Sequence, residues 1–248
     1  MKFDVVTIFP ALVEEIVGVG VVGRAARSGL LDIAVHDLRT FTDDVHRTVD
    51  DTPYGGGPGM VLKAEPFMKA VAHIERERGV PASVILLSPQ GRQLSQAMVE
   101  RMSALRHIVL LCGRYEGVDE RVRTHLATEE LSIGDYVLSG GELPACVAVD
   151  AIARKIPGVV GDESSVTGDS FVRHLLDYPH YTRPESLGLH TVPKVLLSGN
   201  HAQIRQWRKQ EAIKRTLEKR PDLVEKLDVE ELDAEEKVIL KALQSEIS

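Results

Sequence analysis

Aromatic residues, cysteines and long apolar runs are scarce in this sequence, and each shortage excludes a class of protein. Aromatic side chains make up 4% of the 248 residues, so aromatic stacking surfaces cannot be widespread. Two cysteines, Cys112 and Cys146, give neither a disulfide framework nor a zinc-binding spacing, which is consistent with a reducing compartment. No run of about 18 apolar residues could span a membrane, and the polar residues near the start argue against a signal peptide. We therefore expect a cytoplasmic protein without a membrane partner.

Positive charge is also scarce over the whole chain, but it is concentrated in one segment. The formal net charge is -7, which argues against a protein coated in positive charge. The segment 200–220 carries seven basic and two acidic residues, a balance of +5, whereas 221–248 carries three basic and nine acidic residues, a balance of -6. A cationic helix beside the basic, tyrosine-containing segment 178–184 is typical of a nucleic-acid binder. The alternative is a solvated helix face.

Alternating strand and helix signals predict an α/β protein with a mostly parallel sheet. The predicted strands are Lys2–Phe9, Leu30–His36, Val84–Leu87 and His107–Leu111. The predicted helices are Ala11–Val17, Glu65–Arg78, Ser95–Leu105 and Glu142–Ile156. Capping patterns predict helix starts at Ser139 with Glu142, Asn200 with Gln203, and Asp233 with Glu236. A polar stretch from Pro157 onward predicts a linker between two domains.

Two glycine-rich stretches, Leu110–Gly117 and Ser132–Pro144, each follow a short apolar run. In an open α/β sheet, ligands bind outside the carboxyl ends of the strands, where glycine allows the main chain to approach closely. Polar residues at these ends, such as Tyr115, Glu116 and Asp135, could orient a small ligand. We therefore predict a cofactor pocket formed mostly by main chain. The alternative is a pair of ordinary glycine turns.

Two other glycine-rich segments resemble nucleotide-binding motifs without meeting their requirements. Gly18–Gly23 matches G-x-G-x-x-G, but it follows a predicted helix instead of a strand, so we expect a loop and disfavour a nucleotide-dependent oxidoreductase. The loop His46–Met60 lacks the lysine and hydroxyl of a phosphate-binding loop, which disfavours an NTPase. His46 and Arg47 could still contact phosphate, or the loop could be a surface lid without chemistry.

Several blocks of this sequence resemble one known family, the bacterial tRNA (guanine-N1)-methyltransferases of the TrmD type, in the same order and from Met1 to about Pro221. The blocks are Asp50–Met60, Leu87–Gly91, Cys112–Asp119, Ser132–Pro144, His180–Pro184 and Leu197–His201. The resemblance implies a SPOUT-class fold, in which a mostly parallel sheet ends in a C-terminal trefoil knot, plus a small all-helical C-terminal domain. The implied domains are a knotted cofactor domain (1–160), a flexible linker carrying the general base (161–172) and a helical tRNA-binding domain (173–248).

The resemblance also implies the reaction and the partners. S-adenosylmethionine would donate a methyl group to N1 of the guanosine immediately 3′ of a tRNA anticodon. The enzyme would be an obligate homodimer with its active sites at the subunit interface, and it would depend on Mg²⁺.

By the same resemblance, individual residues acquire expected roles. Asp169 is the expected general base and Arg154 the arginine that stabilises charge on the guanine oxygen, while Glu116 is a candidate for Mg²⁺. The expected cofactor-binding residues are Leu87, Ser88, Pro89, Gly113, Tyr115, Glu116, Gly117, Ser132, Ile133, Gly134, Asp135, Tyr136, Val137, Leu138, Gly140, Gly141 and Pro144. The expected substrate-binding residues are His46, Asp50, Gly59, Ser165, Arg183, Arg205, Arg208, Lys209 and Arg215.

The chemistry of guanine independently favours a base and a cation. N1 carries a proton and is a poor nucleophile until a carboxylate removes it, and the resulting charge on the purine oxygen would be stabilised by a guanidinium. Asp162, Glu163 and Asp177 compete with Asp169 for the role of the base. A different RNA as the methyl acceptor, or RNA binding without catalysis, are the remaining alternatives.

Overall fold

The structure is a computed structural model that describes residues 1–161, 169–227 and 229–247. It divides into two compact units, Met1–Glu163 and Ser164–Ser248. Residues 162–168 of the predicted linker 161–172 lie outside the described residues. They include two candidates for the general base, Asp162 and Glu163. No helix in the described part of the chain is both long and apolar enough to cross a membrane.

The first unit is built on a five-stranded sheet in which every neighbouring pair is parallel. The sheet strands are β1 (Lys2–Thr7), β2 (Asp32–Asp37), β5 (Ser83–Gln93), β6 (His107–Cys112) and β7 (Glu129–Ser132), and a separate antiparallel pair is formed by β3 (Asp50–Asp51) and β4 (Val61–Leu62). The order in the sheet is β2-β1-β6-β5-β7. The predicted α/β class with a mostly parallel sheet is therefore confirmed.

Helices cover both faces of this sheet. They are α1 (Pro10–Val17), α2 (Gly20–Arg27), α3 (Ala64–Arg78), α4 (Gln96–Ser103), α5 (Glu120–His125) and α6 (Glu142–Ala153), and Leu38–Phe41 forms a 3-10 turn. Side chains alternate along the fully buried central strand β6: Leu110 and Cys112 pack with α1, α2, α4 and α6, whereas Val109 and Leu111 pack with α3 and α5. A strand buried on both faces is what an all-parallel sheet requires.

Local rules predicted several helix ends correctly. Helix α3 ends at Gly79, which has the positive φ of 66° that a left-handed cap requires. Ser95 caps α4 by accepting a hydrogen bond from the Met98 amide. These helix ends are set by residues that are only a few positions apart, so the sequence alone is enough to predict them.

Two local predictions of element position were wrong. Gly20 begins helix α2, where a loop was expected, and Gly23 is needed because a Cβ there would lie 2.0 Å from the Gly18 carbonyl oxygen. Strand β5 extends to Gln93, beyond the predicted end at Leu87, because Arg92 resumes pairing with β7 after a bulge. Helix α5 and strand β7 were not predicted at all.

The second unit contains the C-terminal helices and one short hairpin. Its elements are β8 (Ser186–Leu187), β9 (His190–Thr191), α7 (Lys194–Leu197), α8 (His201–Lys219), α9 (Pro221–Val224), a 3-10 turn at Val229–Glu231 and α10 (Ala234–Ile247). A small core includes Ile213 of α8 and Leu240 of α10. The antiparallel pair β8–β9 corrects the expectation of an all-helical C-terminal part, because the Gly188 turn closes a hairpin there.

Both predicted caps in this unit are confirmed. The Asn200 side chain accepts hydrogen bonds from the amides of Ala202 and Gln203, each at 3.2 Å. Asp233 and Glu236 each accept a hydrogen bond from the other's amide at 2.9 Å, which is a complete capping box at the start of α10.

A buried carboxylate, Asp4, holds together the amino-terminal edge of the sheet. It accepts hydrogen bonds from Arg78 (Nε at 2.9 Å and Nη2 at 3.1 Å), and the Nε2 atoms of His36 and His107 lie 2.6 and 2.8 Å from its oxygens. Burial opposes ionisation, but hydrogen bonds from His36, Arg78 and His107 outweigh it, so the pKa of Asp4 lies below its ordinary value.

We predict that Asp4→Ala lowers the free energy of unfolding by about 3–5 kcal/mol at pH 7, because Arg78 loses its buried partner. A lowered folded-state pKa means that the contribution of Asp4 is complete above its unfolded pKa of about 3.9 and is lost as the pH falls through the folded value. The difference between the variant and the wild type should therefore shrink toward pH 3. Urea unfolding followed by circular dichroism measures both quantities.

The matched control is Asp43→Ala, which removes an exposed partner of Lys69 and should cost less than about 1 kcal/mol. Equal losses in the two variants would contradict a structural role for the Asp4 network.

Candidate active site

A cavity lies beyond the carboxyl ends of β6 and β7 and beside the bulge of β5. Its volume is about 270 Å³, close to the lower end of the range of roughly 300–1,000 Å³ for small-molecule sites. Its lining is a mixture of glycine main chain, apolar side chains and a few polar groups: Leu86–Gln90, Gly113–Val118, Arg123, Leu131–Gly134, Tyr136–Gly141 and Pro144. This is the location where open parallel sheets bind ligands.

The structure brings the predicted cofactor-binding residues together. Every one of them lines this cavity except Asp135. Arg114, Val118 and Arg123 also line it but were not predicted. Arg123 belongs to α5, a helix that gave no sequence signal, and its guanidinium lies 3.1 Å from Glu130 of β7.

Two of the cavity loops touch each other through main chain at Gly141. The Gly141 amide donates a hydrogen bond to the Gly113 carbonyl at 2.9 Å. A Cβ at position 141 would lie 2.8 Å from the Cys112 Cα and 3.1 Å from the Gly113 nitrogen. Since these atoms belong to the backbone, they cannot move aside cheaply, and only glycine allows the two loops to pack this closely.

A buried ion pair ties the same loops to the sheet. Glu142, which has no exposed surface, accepts hydrogen bonds from Arg114 Nε at 2.9 Å and from the hydroxyl of Thr7 at 2.7 Å. Arg114 also donates to the Ser139 hydroxyl at 3.3 Å. The predicted capping box of Ser139 and Glu142 is therefore wrong: α6 begins at Glu142 after the N-cap residue Gly141 and has no side-chain cap, because the Ser139 and Glu142 side chains bind Arg114 instead.

The glycine-rich loop that was expected to contact substrate lies against one wall of the cavity. The Glu116 amide donates to the Met60 carbonyl at 3.0 Å, and the Leu62 amide donates to the Gly117 carbonyl at 3.0 Å. A Cβ on Gly59, whose φ is +76°, would lie 2.5 Å from Glu116 Oε1. Of the other expected substrate residues here, His46 is exposed and Asp50 pairs with Leu62.

Glu116 is exposed, and no group of three or more His, Cys, Asp or Glu residues in the described ranges is placed to hold a metal ion. The described residues therefore do not present a ligand set made of protein groups alone for Mg²⁺ at Glu116.

Arg154 lies at the far end of α6 from the cavity. Its amide donates to the Asp150 carbonyl at 3.2 Å, which closes the last turn. The 12 residues of α6 separate Gly141 from Arg154 by about 18 Å of helix. Within one chain, the cavity and Arg154 therefore stand at opposite ends of the same helix.

Asp169 lies in a turn of the second unit and lines a smaller cavity of about 150 Å³. The cavity also contains Arg173, Asp177, Tyr178, Arg208, Lys209, Leu175, Leu176, Ala212 and Glu236. The surrounding segment is anchored to α8, because the Leu176 amide donates to the buried hydroxyl of Thr216 at 2.9 Å. Asp177, the competing base, has its Oδ2 2.7 Å from His180 Nε2.

The expected substrate-binding cations of the second unit differ in their surroundings. Arg183, Arg205 and Arg208 are exposed, and Arg215 is partly buried. Lys209 contacts Asp233 at 2.6 Å and Glu235 at 2.7 Å, and hydrogen bonds to these two carboxylates raise its pKa. The charge of Lys209 is thus neutralised by Asp233, which precedes α10, and by Glu235 in α10. Ser165 lies outside the described residues.

Both cysteines are buried and free, and neither is an activated nucleophile. Burial raises the pKa of Cys112 well above its ordinary value, and burial with the nearby Glu142 carboxylate raises the pKa of Cys146 to about 11. Because the thiolate is the reactive form, we predict that iodoacetamide labels the folded protein at pH 8 about 100-fold more slowly than free cysteine. Mass spectrometry over time measures this rate. The urea-unfolded chain is the control, and rapid labelling of the folded chain would contradict the prediction.

An open parallel sheet with a glycine-lined cavity beyond its strand ends is typical of α/β proteins that bind a small ligand at the edge of the sheet. Comparison with known sequences identifies the family within this class. The family model described as tRNA (Guanine-1)-methyltransferase TrmD matches residues 1–226. A tRNA (guanine-N(1)-)-methyltransferase of Dictyoglomus turgidum is 50% identical over 247 residues, covering 100% of this chain and 98% of the relative.

Two further relatives carry the same description. The protein of Aromatoleum aromaticum is 54% identical and covers 90% of this chain and 87% of the relative, and that of Escherichia coli is 52% identical and covers 94% and 92%. The chain therefore belongs to the TrmD family of tRNA (guanine-1)-methyltransferases and is a methyltransferase.

Proposed function

We propose that this protein transfers a methyl group from S-adenosylmethionine to N1 of the guanosine immediately 3′ of a tRNA anticodon. The observation that carries the proposal is that Leu86–Gln90, Gly113–Val118, Leu131–Gly134 and Tyr136–Gly141 line one cavity. Family membership supports the reaction class, and the glycine-rich lining of the cavity supports a methyl donor bound there.

The lining of the cavity suits this donor. S-adenosylmethionine has a flat apolar base, a hydroxylated sugar and an amino acid with both charges, next to a cationic sulfur. The cavity offers apolar walls such as Leu138 and Pro144, glycine main chain, and the exposed carboxylate of Glu116. A carboxylate on the lining is complementary to the positive charges of the ligand. The guanidinium groups of Arg114 and Arg123 also line the cavity but already contact Glu142 and Glu130.

The donor would supply a methyl group bonded to a sulfonium sulfur. The sulfur keeps the electron pair of the C–S bond that breaks. The protein has to prepare the acceptor. Asp169 accepts the proton from N1, so that the nitrogen lone pair becomes nucleophilic. Arg154 stabilises the negative charge that develops on the guanine oxygen. Such a reaction needs aligned groups rather than a protein nucleophile, in agreement with the buried, protonated cysteines.

A homodimer would bring an Arg154 side chain close to the cavity. One chain holds its own Arg154 about 18 Å of helix away from the cavity, which favours a second copy as the source of this arginine. Helices α1 and α6 pack together and expose an apolar face that continues to the cavity, where Phe9 stacks under Arg114 at 4.5 Å. The exposed apolar residues are Phe9, Leu12, Ile16, Leu143 and Val147. Joining two such faces would remove them from water.

The SPOUT-type trefoil knot belongs to the same proposal. Its support is the close passage of the loop before α6 against the loop after β6, where Arg114 and Gly140 form an antiparallel bridge.

The two free cysteines suit the cytoplasm, where tRNA is found.

We further propose that the C-terminal part holds the tRNA, with a cofactor domain at 1–160, a linker at 161–172 and a tRNA-binding domain at 173–248. Exposed Arg183, Arg205 and Arg208 would contact phosphates. The other proposed substrate contacts are Arg215, His46, Asp50, Gly59 and Ser165. Lys209 is the weakest member of the set, since its charge is already paired.

The experiment mixes the full-length protein with radiolabelled S-adenosylmethionine and an unmodified tRNA transcript that has guanosine immediately 3′ of its anticodon. Label should appear in that nucleotide, and a transcript with adenosine at that position should remain unlabelled. Ribosomal RNA fragments serve as competitors. Failure of the tRNA to accept label, or faster labelling of ribosomal RNA, would overturn the proposal.

A further inference from the structure

The second unit concentrates the few large polar aromatics of this chain in one place. The chain has five tyrosines and one tryptophan, and three of these six residues, Tyr178, Tyr181 and Trp207, lie on α8 and the segment before β8. The Tyr178 and His180 rings have centroids 4.7 Å apart, and those of Tyr181 and Trp207 are 6.4 Å apart. Tyr181 is 50% exposed. Tyr178 and Trp207 are half-buried, so part of each of these side chains remains accessible to a ligand beside the exposed Tyr181.

Cations accompany these rings. The Arg208 guanidinium lies 4.8 Å from the centre of the Tyr178 ring, and Arg205 is exposed one turn earlier on α8. Arg183 is exposed two residues beyond Tyr181. Lys209, by contrast, points its charge to Asp233 and Glu235. The side of α8 with the aromatic rings therefore keeps its arginine charge, while the neighbouring side is neutralised within the unit.

We infer that Tyr181 and Trp207 form a stacking platform for an unpaired base of RNA, with Arg208 and Tyr178 beside it. Exposed rings bind the flat faces of bases, and arginines next to them bind the flanking phosphates. A base-paired helix hides its base faces, so the platform selects a single-stranded loop or end. The inference rests on the proposed function and adds to it the structural class of nucleotide that the second unit holds.

Trp207 is the only tryptophan of the chain, so its fluorescence reports directly on the platform. The full-length protein is titrated with the unmodified tRNA transcript and, separately, with a fully paired RNA duplex of the same length. We expect tRNA to quench Trp207 emission and the duplex to leave it unchanged at equal occupancy. Quenching by both RNAs alike, or by neither, would overturn the inference.

Variants separate stacking from charge. Tyr181→Ala should weaken tRNA binding about tenfold or more and leave the salt dependence of binding unchanged, while Tyr181→Phe keeps the ring and should bind as the wild type does. Arg208→Ala should instead reduce the slope of log K against log salt by about 1. Leu189→Ala, at an apolar position 98% exposed in the β8–β9 turn, is the matched control.

The outcomes distinguish this inference from the function on which it rests. If the wild type methylates tRNA and Tyr181→Ala binds tRNA with wild-type affinity, the platform is wrong and the methyltransferase proposal stands. If Tyr181→Ala lowers the salt slope as Arg208→Ala does, the site is electrostatic and the stacking role is refuted. If the wild type binds and quenches with tRNA but transfers no methyl group, the platform stands and the proposed function fails.

Discussion

Asp169→Asn is expected to lower kcat for methyl transfer by about 10²- to 10⁴-fold, the usual contribution of a positioned general base. The substitution keeps the size of the side chain but removes its ability to take the N1 proton. Affinities for S-adenosylmethionine and tRNA should stay within about twofold of the wild type, because the base acts on the transition state rather than on binding. Single-turnover assays with saturating tRNA and donor measure the chemical step.

Asp177→Asn is the comparison variant, because Asp177 lines the same small cavity and competes for the role of the base. Its carboxylate contacts His180 and accepts a hydrogen bond from the Tyr178 amide at 2.8 Å, which indicates a structural function. A large loss in Asp177→Asn, together with near-normal turnover in Asp169→Asn, would transfer the assignment to Asp177.

Arg154→Ala should lower kcat by about 10²- to 10³-fold, as the removal of one group that stabilises an oxyanion does. The KM for tRNA should change much less than kcat. Since the arginine is proposed to act on the partner subunit's cavity, the defect should be complemented in trans. A mixture of Arg154→Ala chains with chains that cannot bind the donor should recover part of the activity when mixed dimers form.

Lys155→Ala is the matched control for Arg154→Ala. Lys155 is the next residue and its ammonium lies 3.0 Å from Glu100, so its loss tests the end of α6 without touching the proposed charge. Turnover in Lys155→Ala should remain near the wild-type value. An equal loss in both variants would show that the end of α6 matters for folding rather than for the reaction.

The sequence predicted those features that depend on near neighbours. Gly79 after a helical pattern, Asn200 before one, and Asp233 with Glu236 are capping signals within one turn, and the structure shows all three. The burial of β6 on both faces likewise follows from its apolar run. The recognised family blocks contain the residues that the structure gathers in one cavity.

The failures concern contacts between distant parts of the chain. Glu142 looked like a capping residue, but Thr7 and Arg114 bind it from 135 and 28 residues away. Strand β5 was expected to end at Leu87 because Ser88–Gly91 is typical of a tight turn, but Arg92 resumes pairing with β7, a strand of four residues without a clear pattern. Arg123 enters the cavity from α5, a helix that gave no sequence signal. Tertiary partners decided each of these cases, and local propensity could not show them.

The central claim is that main chain at the strand ends, held together at Gly141, binds the methyl donor. Calorimetric titration of S-adenosylmethionine into Gly141→Val tests it most directly, because any side chain at position 141 would separate the loops after β6 and before α6. Overpacking of about 1–3 kcal/mol corresponds to a loss of roughly 5- to 150-fold in affinity. Gly161→Ala, where a Cβ meets nothing within 4 Å, should bind as the wild type does. Wild-type affinity in a folded Gly141→Val protein would contradict the account.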